Sequence, residues 1–255
     1  MQNLGASVGW GLVVAASLLV GAALAGYGRV APRIAATVTA FGGGTLIAAI
    51  GLQLVPTADR QAGLLLTASG LLAGTLAYVG IDAWLTRDPT MMKARRSCQA
   101  ARVGVGMESM PDRDQAAKGE AVALGGFVDG VPESLALGLS VAAGGVGVAL
   151  LAGILVGNVV ESYGASRLIL TGGRSRGFAL ILLGAIGLAL AFATVLGGTV
   201  LANASGALIG SAQAVAAGAV LAVVSVAIIP HTFSEVSRRV ASATVLGFIG
   251  GYLLS

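Results

Sequence analysis

Charge is what this chain of 255 residues has least of: Asp, Glu, Lys and Arg make up 10% of it, against 56% hydrophobic residues. A soluble domain keeps most of its ionisable side chains in water and could not cover its surface with so few. Cys98 is the only cysteine and His231 the only histidine. An internal disulfide and multi-cysteine zinc sites are therefore excluded. Met1 to Gly28 holds no charged side chain. With neither a basic leader nor a cleavage-like site, this stretch reads as a retained first span and not as a signal peptide. The chain also lacks a glycine-rich phosphate loop followed by Lys-Ser/Thr, and a His-Glu-x-x-His helix. Nucleotide-driven work and zinc-protease chemistry thus have no signature, and no enzyme is expected.

What the chain has instead is glycine and long apolar runs. Forty glycines would each cost about 1 kcal/mol in exposed helix interiors. In a membrane bundle they let helix backbones approach closely. Mean hydropathy is +0.91, and a spanning helix needs about 20 apolar residues. Eight spans are expected, at 4–27, 34–56, 63–85, 121–142, 147–167, 177–199, 207–229 and 239–255, the last one short. Spans one to three occupy 1–86, a polar loop 87–120, spans four and five 121–167, and spans six to eight 168–255.

The basic residues test this arrangement independently. With the N-terminus outside, the inward connections hold Arg29 and Arg33; Arg87, Lys93, Arg95, Arg96, Arg102, Arg113 and Lys118; Arg167, Arg174 and Arg176; and Arg238 and Arg239. The outward connections hold only Arg60. Cytoplasmic loops are enriched in Lys and Arg. Both termini are therefore expected outside the cytoplasm, in the inner membrane of a prokaryote. That bias also accounts for a pI near 9.7 without a nucleic-acid partner.

Span two ends FGGGTLIAAIGLQLVP and span seven ends VAAGAVLAVVSVAIIP, with Gly44 twelve residues before Pro56 and Gly218 twelve before Pro230. In this topology the two prolines sit at opposite faces of the membrane. Copies that point in opposite directions mark inverted-repeat transporters. The expected fold is an all-α membrane protein in which spans one to three and six to eight are inverted repeats around a central hairpin of spans four and five.

That hairpin carries the polar groups. Span four has Asp129 and Glu133, span five Asn158 and Glu161, and the other spans have no acid near their middle. A carboxylate at the bilayer centre costs about 2.5–3.5 kcal/mol even on insertion scales, so such groups face the bundle interior and mark ion or proton paths. Asp129 and Glu133 are i and i+4, Asn158 and Glu161 i and i+3, so each pair shares a helix face. Folding at Ala143–Gly147 brings Glu133 and Glu161 within about 6 Å in height. Pro132 removes a backbone donor and is expected to kink span four beside the acids. With no Lys or Arg in the centres of these spans, a cation or protons must neutralise the acids. The plainer reading is that they are protonated and serve as interhelical hydrogen-bond donors.

These segments resemble the ZIP (Zrt/Irt-like) family of divalent metal transporters, whose fourth span carries His-Asn-x-Pro-Glu-Gly and whose fifth carries a polar motif ending in Glu-Gly. Span four here reads Asp129-Gly130-Val131-Pro132-Glu133-Ser134, and span five Gly157-Asn158-Val159-Val160-Glu161-Ser162. Asp129 stands where the family has histidine, Gly130 replaces its asparagine, and Gly157 the first polar position of the fifth-span motif. Span six has no acid, and Val226–Ile229 replaces the acid often found before the span-seven proline. The resemblance implies eight spans and Glu133 and Glu161 as core ligands. It also implies an elevator-like movement of spans one, four, five and six against two, three, seven and eight, often in a homodimer. The candidate ligands are Asp129, Glu133, Asn158 and Glu161, all oxygen donors. They suit Mn²⁺ or Mg²⁺ by hardness, while Zn²⁺ and Fe²⁺ also accept carboxylates. No permanent cofactor is expected. The partners are a transported divalent ion and the lipid bilayer.

His231 and Glu235, i and i+4 beyond Pro230, read as an interfacial helix end or as an exit site. Gln53 reads as lining of an access path or as interface polarity. Two rival functions remain: a non-transporting relative with a structural or regulatory role, and an intramembrane enzyme.

Overall fold

The computed structural model describes residues 2–28, 30–85, 112–200, 204–236 and 238–255. Helix is the only regular structure among them. In chain order the helices are α1 (Gln2–Leu24), α2 (Pro32–Ala49), α3 (Val55–Ala62), α4 (Leu64–Leu85), α5 (Asp112–Ala142), α6 (Val148–Thr171), α7 (Arg176–Val200), α8 (Gly206–Val223), α9 (Ile229–Val236) and α10 (Arg239–Leu253). Five-residue π turns, Ile50–Leu54 and Val224–Ile228, join α2 to α3 and α8 to α9. Seven helical stretches are long and apolar enough to cross a membrane, and Arg239–Leu253 is a shorter apolar helix. Their outer faces carry large apolar side chains, among them Leu65, Ile181, Phe192 and Leu246, each more than half exposed. Such a surface is compatible with lipid and not with water.

The second span does not end at its proline, as the sequence led us to expect. Pro56 has no N–H to give to the turn before it. The chain absorbs that loss by switching register: the Val55 N–H donates to the Ile50 carbonyl, five residues back, and the helix continues to Ala62. The same device precedes Pro230, where the Ile229 N–H donates to the Val224 carbonyl. Pro132 is handled differently. It lies inside α5, which continues through the proline for 31 residues. At 1.5 Å per residue α5 is about 46 Å long, more than a bilayer's hydrocarbon needs. Its first turns begin inside what read as loop: 112–120 is helical, and the rest of that stretch, 87–111 with Cys98, lies outside the described residues.

Three consecutive glycines set the position of α2. A β-carbon at Gly42 would press on Val156 of α6, one at Gly43 on Ile228, and one at Gly44 on the Thr244 carbonyl of α10. Their hydrogens let α2 touch all three neighbours at once. In the other half, Gly218 lies as tightly against Leu71 of α4.

At one end of the bundle, polar contacts tie the connections together. The Tyr163 hydroxyl donates to the Gly28 carbonyl at 3.1 Å and accepts from the Val30 N–H at 2.6 Å. Arg167 and Arg176 donate to the Ala25 and Gly26 carbonyls, and Arg174 pairs with Glu120 at 3.1 Å. At the other end α5 turns into α6 through Gly144, whose φ of 108° is a left-handed conformation open to glycine.

Candidate cation site

The α5–α6 hairpin brings the four polar residues singled out from the sequence to one place. Asp129, Glu133, Asn158 and Glu161 line a cavity of about 20 Å³ with Thr39, Gly42 and Gly43 of α2 and Ile228 of the second π turn. That volume holds one water-sized particle. Asp129, Glu133 and Asn158 are buried, at 3%, 7% and 4% exposure, and no lysine or arginine lines the cavity. The lining offers oxygen donors in a space that admits little water. Such surroundings strengthen the attraction for a cation.

Three further residues, Tyr78, Ser17 and Gly126, surround these groups. The Tyr78 hydroxyl of α4 donates to Asp129 Oδ1 at 2.6 Å, a length usual between hydroxyl and carboxylate. Asn158 Nδ2 donates to Ser17 Oγ of α1 at 3.2 Å, and Ser17 donates onward to the Val14 carbonyl at 2.6 Å. With the amide nitrogen held by Ser17, Asn158 Oδ1 is the atom it can offer to a cation. Gly126 makes room for Glu161: a β-carbon there would collide with that residue's carboxylate. Gly126 precedes Asp129 by three positions, on the same face of α5.

A shared cavity is not yet a ligand shell. Among the described residues no three His, Cys, Asp or Glu side chains converge closely enough to hold a metal ion. Asp129 is engaged by Tyr78 from α4, while the Glu161 carboxylate rests against Gly126. Pro132 and Val128 lie with Tyr78 on a separate apolar groove between α4, α5, α7 and α8. Pro132 lines this groove and not the cavity. His231 and Glu235 fall in α9, and their side chains lie outside the described residues. Gln53 sits in the first π turn against Gly147, at the α5–α6 turn and away from the cavity lining.

The chain matches no family model and no curated protein. The site has to be interpreted through its own chemistry.

Nothing in the sequence pattern singled out Tyr78, Ser17 or Gly126. The first two bond to residues 51 and 141 positions away, and no local spacing encodes such a pairing. A closer signal existed for α2: the GlyGlyGly run at 42–44 is the sort of small-residue stretch that marks a close helix crossing.

Proposed function

We propose that this chain is an integral membrane protein that carries a divalent metal cation of the zinc, iron or manganese class, driven by gradients, through the cavity lined by Asp129, Glu133, Asn158 and Glu161. The observation that carries this reading is the meeting of four polar side chains, chosen from two apolar helices, around one enclosed space the size of an ion. Burying carboxylates between apolar helices is costly, and a bound cation or proton offsets their charge. The ion is cargo, bound and released, and the chain needs no resident cofactor.

An eight-span arrangement with inverted repeats fits the elements. α2, π turn and α3 run 18, five and eight residues, and so do α8, π turn and α9. Pro32 and Gly206, Ile50 and Val224, and Val55 and Ile229 are each 174 positions apart. Gly44 and Gly218 keep that spacing and make matching close crossings, onto α10 and α4. In this reading α10 is the eighth span, and the connections bound together by Arg167, Arg174 and Arg176 face the cytoplasm. The resemblance to the ZIP family supports alternating access by movement of spans one, four, five and six, and a homodimer.

A second reading has one observation in its favour: among the described residues, no three His, Cys, Asp or Glu side chains form a group that could hold a metal ion. It holds that the chain is a transport-inactive relative with a structural or regulatory role. Reconstituted uptake separates the two. Wild-type protein in proteoliposomes should accumulate Mn²⁺, Zn²⁺ or Fe²⁺, and Glu133→Ala and Glu161→Ala should each abolish it. Normal flux in both variants would sink the site, and no flux or binding in the wild type would favour the inactive relative.

A further inference from the structure

Tyr78 stands between two very different spaces. Its ring lines an apolar groove of about 760 Å³ together with Phe127, Val131, Pro132 and Leu135 of α5. Its hydroxyl reaches the buried oxygen of Asp129, which borders the polar cavity. Residues of α4 and α5 line this groove, and the phenol hydroxyl joins the two helices at Asp129. Tyr78 itself is 3% exposed, so the bond is shielded from competing water.

We propose that Tyr78 is a latch on Asp129. Its hydroxyl holds Asp129 Oδ1 toward α4 and away from an ion's ligand set. An arriving divalent cation draws Asp129 toward Glu133, Glu161 and Asn158, breaks the bond to Tyr78, and so releases α5 from α4 along the groove. This inference rests on the cation-binding reading above and adds to it a positioning residue that couples occupancy to a helix contact. A carboxylate oxygen that accepts a short hydrogen bond from one side is directed toward that donor. An ion must offset the loss of that bond to recruit it. The hydroxyl thus lowers the apparent ion affinity, and ion binding weakens the α4–α5 contact by the same factor.

The test uses full-length protein in detergent, titrated with Mn²⁺ and with Zn²⁺: wild type, Tyr78→Phe, Asp129→Ala and the double variant. Phenylalanine keeps the ring in the groove and deletes only the hydroxyl. Tyr78→Phe should bind the ion about tenfold more tightly than wild type, the hydrogen bond to a charged group no longer having to be broken. Asp129→Ala should bind more weakly, and adding Tyr78→Phe to it should change nothing. The ion should also perturb the tyrosine ultraviolet spectrum of the wild type, and that change should be missing in Tyr78→Phe. Affinity unchanged or weakened by Tyr78→Phe in a wild type that binds overturns the latch alone. A wild type that binds neither ion overturns the cation site, and the latch with it.

Discussion

Asp129 lies three residues from Gly126 and four from Glu133 along one face of α5. Gly126 has no side chain because the carboxylate of Glu161 occupies its place. That carboxylate is the far end of a flexible chain, so a methyl group at 126 can displace it without moving backbone. Gly126→Ala is therefore expected to fold normally yet lose ion uptake at least tenfold, through misplacement of Glu161. Comparison of thermal unfolding with proteoliposome flux checks this, and a variant with full flux would show that Glu161 does not need that position. Ser17 makes the complementary case. Ser17→Ala leaves the buried Asn158 amide nitrogen without its acceptor at a cost of about 1–3 kcal/mol and frees the amide to turn. Ion affinity should fall, and Ser17→Thr, which keeps the hydroxyl, should restore it; equal binding by all three proteins would show that Ser17 does not orient the site. The sequence made Asp129, Glu133, Asn158 and Glu161 visible because ionisable and amide groups stand out in apolar helices. Tyr78 and Ser17 were not visible, since a lone tyrosine or serine in such a helix looks like any other until its distant partner is known.

At the level of elements, the α-helical class and the α5–α6 hairpin were legible in hydropathy and glycine turns alone. The π turns were not. Ile50–Leu54 and Val224–Ile228 are as apolar as the helices they join, so nothing marked the change of register, and Pro56 and Pro230 suggested helix ends instead. The equal spacing of Gly44 to Pro56 and Gly218 to Pro230 did point to two related segments, and the elements around them have equal lengths. That likeness makes a prediction about packing. Alanine at Gly44 would drive its β-carbon into the Thr244 carbonyl, and alanine at Gly218 into the Leu71 carbonyl. Both atoms are backbone and cannot step aside. Each substitution should therefore destabilise the protein by about 1–3 kcal/mol, whereas Gly9→Ala, with nothing within 4 Å of its new methyl, should leave the melting temperature unchanged. If Gly44→Ala harms the fold and Gly218→Ala does not, the two halves are not packed as counterparts.

For the whole molecule the decisive quantity is the sidedness of charge. Arg167, Arg174 and Arg176 meet the α1–α2 connection and the start of α5 at one end of the bundle, through bonds to Ala25, Gly26 and Glu120. The α5–α6 turn at Ala143–Gly147 lies at the other end, and no Lys or Arg falls in it. A chain that crosses the membrane an odd number of times between two loops must place them on opposite sides. Basic residues resist translocation, so the Arg-rich end should stay in the cytoplasm. Cys98, the chain's single cysteine, lies in the basic connection between α4 and α5 and serves as a built-in reporter. In intact cells a membrane-impermeant maleimide should leave it unlabelled, and permeabilisation should expose it. A cysteine introduced at Ser205, between α7 and α8, in a Cys98→Ser background should show the reverse pattern, labelling without permeabilisation. Labelling of Cys98 from outside would invert the molecule and set the inward and outward ends of any cation path the other way round. Labelling of both positions from the same side would overturn the proposed eight-span count, in which three crossings, α5, α6 and α7, separate them.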